Sequence, residues 1–539
     1  ENRYLRNDSF TTENVINNDT SNSLTGIGNL NLEYTPAATE KLYYNAQILL
    51  SNSESDNFIN SNITGGNNTT FQTMRDVENV SFKHYVEWHK QYKNINHKTS
   101  FVVSHMYENS KPENMWLTNN QFLSGLIPLE DDALYTINQL TEKTSNSIDA
   151  LFKHYWIVNN TNHIYTNLGA NLEKSSLDIS ERQLLSNGTS NDFSLNGFGN
   201  AIDYRFYDAY LGFEYKFKIG KLINKPGLYF HSYHLKSDQL ESNYRLNRFL
   251  IEPQWNSEYR FNTSETIKFN YRYTNEFPRD QQLLERFTLQ NYNTVFRGNS
   301  MLRNERFHSA NLRYTSMSSY RSFLIFAFIN YIRKTRTLRN TIEIDGINQF
   351  TTPLLTDNPE TIIQFNGTLE KKINRFKVRF KTSLSKFNYI QTLNDITTSN
   401  DRNSQKVEIN LRTSSKKWPV IGVGYGKSFS QFRGLTDSSL ETDFFNFDVN
   451  INFLKHFTFE TDYEFTNNTN DRDLNTKFSI ANASLTYNKK SSPFLFKITA
   501  QNYLNNKEIN ENFFSDLLIS ENTTFTLPRI YMLSISYKL

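Results

Sequence analysis

A two-residue alternation of apolar and polar side chains returns from one end of this chain to the other, and it sharply limits what the chain can fold into. In Phe445-Asn446-Phe447-Asp448-Val449-Asn450-Ile451-Asn452-Phe453 the odd positions are apolar and the even ones polar. Phe457, Phe459, Tyr463 and Phe465 are set against Thr458, Glu460, Asp462 and Glu464. Ile267, Phe269, Tyr271 and Tyr273 alternate with Lys268, Asn270 and Arg272, and the last segment sets Leu533, Ile535, Tyr537 and Leu539 against Ser534, Ser536 and Lys538. Successive strand side chains point to opposite faces, so each segment has one apolar and one wet face. A soluble antiparallel sheet alternates too. Here, however, Phe and Tyr dominate the apolar face, and most segments run about 11–16 residues against the roughly 5–6 usual in soluble sheets. A tilted membrane strand needs about 9–11 residues in the hydrocarbon.

Composition agrees once both faces are counted. A mean hydropathy of −0.64 is hydrophilic, yet 43 Phe, 31 Tyr and 5 Trp are far more aromatic residues than a disordered chain carries. A membrane barrel satisfies both: only every second residue faces lipid, the lumen is polar, and aromatic girdles mark the interfaces. The longest clean apolar run lies near 323–329, far short of the ~18–20 residues a transmembrane helix needs. Charge is balanced, 58 Lys+Arg against 55 Asp+Glu, which gives no field for nucleic acid. With no cysteine, disulfides and Cys-ligated metals are excluded. No signal peptide is visible, and Glu1 is not a start methionine.

The pattern places strands near 1–14, 24–35, 40–51, 78–90, 96–108, 139–157, 161–175, 203–218, 225–238, 247–261, 265–277, 306–316, 320–335, 360–371, 374–388, 403–413, 417–430, 441–454, 456–467, 473–487, 491–503 and 528–539. That is about 22, read as one outer-membrane barrel domain over 1–539. Short links such as 36–39, 158–160 and 262–264 alternate with long ones: 52–77, 109–138, 176–202, 278–305, 336–359 and 504–527. Short periplasmic turns alternating with long extracellular loops are the bacterial barrel pattern, and an even count puts both ends in the periplasm. Closure follows from chemistry, because no backbone edge can stay unpaired in hydrocarbon. A lumen of this width is too broad for side chains to fill and is expected to carry a plug.

Two stretches carry a family resemblance. Phe269–Tyr314 resembles the barrel of TonB-dependent receptors: Gly298, Asn299, Leu302 and Glu305 match its turn motif. Ser300 and Asn304 stand where prolines are usual, and the order in Phe277-Pro278-Arg279 differs. The segment from Phe494 to Leu539 is similar to the C-terminal strand pair of TonB-receptor-like barrels of Bacteroidota, with Leu539 in place of the usual Phe. The resemblance implies an N-terminal plug and a TonB-pairing box, neither of which lies within 1–539, so a plug is expected upstream.

No catalytic constellation is present: there is no H-E-x-x-H, G-x-S-x-G or Walker loop. Gly422, Gly424 and Gly426 alternate within a strand and read as lumen space, not a phosphate cradle. His84 and His89 lie on opposite faces of one strand, as do His231 and His234, so no metal pair follows, and neither an enzyme nor a cofactor is expected. The basic run Arg333–Arg339 reads equally as a lipopolysaccharide contact or a solvated loop base. The candidate ligand or partner contacts are Trp116, Phe122 and Leu126 in the apolar loop 109–138, and Arg279, Arg286 and Arg297 in 278–305. Three functions stay open: a plugged TonB-dependent transporter, a non-transporting subunit holding a surface lipoprotein or other envelope proteins, and an unplugged pore. The expected surroundings are outer-membrane lipid and lipopolysaccharide.

Overall fold

The computed structural model describes residues 1–6, 9–66, 68–92, 96–240, 242–414, 419–435, 437–470, 475–489, 492–514 and 518–538. Leu539, the expected terminal strand residue, lies outside them. One antiparallel sheet dominates. In chain order its first strands are β1 (Asn2–Arg6), β2 (Ser9–Ala37), β3 (Glu40–Ile63), β4 (Asn68–Gln91), β5 (His97–Thr118), β6 (Tyr135–Asn159) and β7 (Asn162–Leu184). Next come β8 (Ser190–Asp192), β9 (Asn200–Ile219), β10 (Leu222–Gln239), β11 (Asn243–Asn262), β12 (Glu265–Glu276), β13 (Phe287–Asn291) and β14 (Thr294–Arg297). They are followed by β15 (Glu305–Ser318), β16 (Phe323–Asp345), β17 (Asn348–Thr356), β18 (Glu360–Ile373), β19 (Phe376–Leu393), β20 (Ile396–Thr413) and β21 (Val420–Arg433). The last are β22 (Ser438–Phe453), β23 (Phe457–Asn470), β24 (Asn475–Asn488), β25 (Phe494–Gln501), β26 (Glu508–Phe514), β27 (Leu518–Phe525) and β28 (Ile530–Tyr537).

Of these 28 described strands, seven (β1, β8, β13, β14, β17, β26 and β27) are short pieces at the rim, which leaves twenty-one described wall strands from β2 to β28. Each wall strand pairs antiparallel with the next, from Ala37↔Glu40 at the first turn to Phe494↔Tyr537 at the last pair. The expected alternation of faces holds. Leu168, Phe213, Trp255, Phe380 and Ile409 stand exposed on the outer face, while Asn167, Glu214 and Asn410 point inward. Gly422, Gly424 and Gly426 do make lumen space, which Asp448, Asn446 and Phe444 of the next strand fill.

Strand lengths correct the sequence reading. Segments 1–14 and 24–35 are not two wall strands: β2 runs unbroken through both, and only the short β1 precedes it. Similarly, most of the stretch 52–77 belongs to the upper halves of β3 and β4, and the hairpin β26–β27 occupies much of 504–527. The reason is physical. Above the hydrocarbon both faces of a strand are wet, so the alternation fades while the ladder continues. Asn17-Asn18-Asp19-Thr20-Ser21-Asn22-Ser23 is polar on both faces, exposed, and still strand. The rim is therefore uneven. β2 to β7 have 22–29 residues, whereas β21 to β24 have 14–16. At ~3.3 Å per residue the two sides of the collar differ by tens of ångströms.

Candidate functional site

The connection between β12 and β15, residues 277–304, folds inward across the mouth. It begins at Phe277, whose ring packs on Phe206 and Tyr233 with centroids 5.3 and 4.6 Å away. A short 3-10 turn, Asp280–Leu283, follows. Its Asp280 carboxylate is buried and accepts from Ser175 Oγ at 2.9 Å and Lys143 Nζ at 2.8 Å. Leu283, Leu284 and Leu302 fill one apolar cluster with Leu177, Ile179, Ile202, Leu235 and Leu246 of the wall. Wall side chains bind the loop's own carbonyls: Gln239 donates to Leu283 O (2.8 Å), Tyr204 to Pro278 O (3.2 Å) and Tyr244 to Leu302 O (3.1 Å). A loop buried this deeply must have its backbone groups partnered, and these side chains partner them.

The hairpin β13–β14 carries the loop onward. Leu289 and Val295 join a second cluster with Phe71, Trp116, Phe122, Ile137, Phe193 and Phe198. Glu181, on the upper part of β7, is buried and accepts from the Leu289 amide (3.1 Å), Gln139 (3.0 Å) and the Gly199 amide (3.1 Å). Burial nevertheless raises its pKa above the ordinary glutamate value, the desolvation outweighing these three donors. At the tip, Tyr292 Oη donates to Glu13 at 3.2 Å. Glu13 is fully buried and also takes Tyr4 Oη (2.9 Å) and Ser61 Oγ (2.5 Å). Burial and the Glu13 carboxylate hold the phenols of Tyr4 and Tyr292 well above the usual tyrosine value. Glu13 belongs to β2, the first wall strand, while the loop springs from the tenth and eleventh. The loop thus reaches the far side of the ring and spans the mouth as a lid.

The motif residues have visible structural work in this lid. A Cβ on Gly298 would lie 2.6 Å from Leu284 N and O, so only glycine lets the two loop backbones touch. Asn299 Nδ2 donates to Pro353 O at 3.2 Å, and Leu302 is buried. Glu305 accepts from the Leu338 amide (2.8 Å), Thr337 Oγ1 (3.1 Å) and Lys334 Nζ (3.3 Å).

The candidate contact residues divide. Trp116 and Phe122 are core residues of the second cluster, and only Leu126 of that trio stands exposed. Arg286 donates to Ser194 O (3.0 Å) and Phe198 O (3.2 Å), which ties the lid to the β7–β9 connection. Arg297 lies over the Phe287 ring at 5.4 Å and donates to Glu285 O. Arg279 is exposed at the start of the 3-10 turn. In the basic run, Lys334 meets Glu305, Arg336 meets Asp357 and Arg339 meets Glu360, so much of its charge is already matched. Glu13, Glu181 and Asp280 carry no signal in the sequence, because each lies outside the regular alternation.

Below the lid, the inner wall carries a cavity of about 520 Å³ near the turns of β6 to β12. Lys153, Lys216, Lys225 and Lys268 line it together with Tyr165, Tyr210 and Tyr229. Glu214 anchors this cluster through Lys225 (2.8 Å) and Tyr229 (2.9 Å). Among the described residues no group of three or more His, Asp or Glu is placed to hold a metal ion. The register does bring histidines of neighbouring strands together, His84 stacking on His105 and His97 lying 3.2 Å from His154.

No family model matches the chain, and no curated protein does. Among solved structures, it is similar to the siderophore receptor PiuA of Acinetobacter baumannii, at 9% identity over 99% of this chain and 81% of that one, with a TM-score of 0.47. The siderophore receptor PirA of Pseudomonas aeruginosa gives 9% over 96% and 80%, with a TM-score of 0.39. The FrpB iron transporter of Neisseria meningitidis gives 8% over 93% and 82%, with a TM-score of 0.40. Overlaps this loose, at so low an identity, do not carry a ligand across. The membrane reading rests on the molecule itself: a polar inner face, an apolar outer belt and strands long enough to span a bilayer.

Proposed function

We propose that this outer-membrane β-barrel is the wall of a ligand-specific, TonB-dependent receptor-like transporter whose mouth is gated by the lid 277–304. The observation that carries this reading is the lid itself, fastened at Glu181 on one side and Glu13 on the other above a polar lumen. A free pore has no use for a mouth spanned by a loop anchored on buried carboxylates. A specific receptor does, because binding energy from the right ligand can rearrange it. Metal chelates, peptides and glycans are all open as ligands, and energy would come from TonB acting through a plug.

In planar bilayers the unaltered protein is expected to show no large stable conductance. A large stable conductance would favour the pore. Deleting the gene and deleting TonB should abolish growth on the same source among a panel of iron chelates, peptides and glycans; unchanged growth on every source would sink the transport reading.

The assembly-subunit reading keeps one observation in its favour. Leu126, Leu195 and Met301 stand exposed, the last two at 94% and 78%. Co-purification of a surface lipoprotein in fixed stoichiometry, lost on changing Leu195 and Met301 to serine, would support it.

A further inference from the structure

The cavity low on the inner wall leaves two of its charges unmatched. Four lysines and two glutamates line it. Glu214 is taken by Lys225 at 2.8 Å, and Glu258 by Lys268 at 3.5 Å and Arg260 at 2.6 Å. Among the described residues Lys153 and Lys216 have no carboxylate partner. Both are half-buried, and an ammonium group drawn partly out of water is stabilised by an opposite charge.

The register sets how far apart the two stand. Lys153 on β6 is opposite Asn167 of β7, and Lys216 on β9 is opposite His163 of the same strand. About two inter-strand spacings of ~4.8 Å across the sheet and about four rises of ~3.3 Å along it separate their backbones by roughly 16 Å. Strand side chains stand nearly perpendicular to the sheet, so the ammonium groups stay well apart. They suit two acidic groups, not one. Allowing ~2.8 Å for each ion contact, those groups would lie roughly 10 Å apart.

Between the lysines lies an aromatic floor. Tyr165 shares their face, midway between Asn167 and His163, and meets Tyr155 edge-on with centroids 5.1 Å apart. Two glycines make the hollow. A Cβ at Gly169 would lie 2.2 Å from the Tyr210 ring, and one at Gly212 would lie 2.3 Å from the Tyr229 ring. Both rings therefore sit back over the wall, where a side chain would push them into the lumen. Asn167 (3.0 Å) and Gln254 (3.1 Å) donate to Tyr229 Oη and pin it there.

We propose that this cavity is a binding site for an organic dianion, an elongated molecule with a carboxylate or phosphate at each end and an apolar middle. Lys153 and Lys216 hold the ends, and the body lies on Tyr165. Binding at equilibrium needs no transport, so its failure leaves the transport reading untouched.

The test is calorimetry on the protein purified from native outer membranes, with the dicarboxylates suberate and glutarate and the single-ended octanoate as probes. Suberate is expected to bind, and the too-short glutarate and octanoate to bind about tenfold more weakly, because each reaches only one lysine. Lys153→Gln and Lys216→Gln should each bring suberate down to the level of octanoate, while Lys381→Gln, which faces Glu408 elsewhere on the wall, leaves it unchanged. No binding of suberate, equal binding of octanoate, or full affinity in the doubly substituted protein would each overturn the proposal.

A second measurement needs no variant and so covers those that fold poorly. Acetic anhydride labels accessible amines, and mass spectrometry reads each lysine separately. Suberate is expected to shield Lys153 and Lys216 but not Lys218, which is exposed beside the β9–β10 turn. Labelling of Lys153 and Lys216 that suberate does not change would overturn the proposal.

Discussion

At the residue scale, three buried carboxylates decide how firmly the lid sits. Glu181 satisfies two backbone amides and shares the Gln139 side-chain amide with Leu289 O, so removing it leaves both backbone amides without an acceptor. Glu181→Ala is expected to weaken lid docking by about 2–3 kcal/mol, read as faster hydrogen exchange at the Leu289 amide with the wall strands unchanged. The pH response has a definite sign. The pKa of Glu181 is raised by burial, so its contribution is full below the ordinary glutamate value and is lost as pH rises through the elevated one. Protection of residues 286–297, corrected for intrinsic exchange, should fall over that interval in the unaltered protein and stay flat in Glu181→Gln. None of these carboxylates was legible in the sequence. Glu13 sits in Thr11-Thr12-Glu13-Asn14, a polar run like many others, and only the lid descending from residue 292 makes it a buried anchor.

At the scale of elements, legibility tracked the solvent. Strands in the membrane belt could be read because lipid on one side and water on the other impose a period of two. The same strands above the belt could not, since water on both sides removes the contrast: Asn17–Ser23 and much of 52–77 read as loop and are ladder. The lid was legible in part. Gly298, Asn299, Leu302 and Glu305 could be picked out as a turn, but not that the turn closes a mouth. Gly298→Ala tests that role, because its new methyl group would meet the Leu284 and Gln282 backbone with nowhere to go. An expected cost of about 1–3 kcal/mol should appear as protease cleavage within 284–298 under conditions where the unaltered lid resists. Equal resistance would mean the two backbones part easily.

At the scale of the whole molecule, orientation follows from turn length. The ends of β2 and β3 are joined by two residues, as are those of β18 and β19, whereas the opposite ends carry the lid and the β5–β6 connection. With no native cysteine, sidedness can be read directly. A cysteine at Thr189, in the exposed β7–β8 turn, is expected to react with an impermeant maleimide on intact cells. One at Asn374, in the β18–β19 turn, should react only after the envelope is opened. The reverse pattern would invert the barrel.

The uneven rim gives the entrance a facing. A collar tall over β2 to β7 and low over β21 to β24 works as a hood: it screens one approach and leaves the other nearly level with the bilayer surface. A solute sliding along the cell exterior reaches the lid from the low flank without climbing, while one arriving over the high flank meets a curtain of asparagine, serine and threonine first. Neighbouring molecules in a crowded membrane would feel the same asymmetry, so an array of these barrels would have a preferred open side.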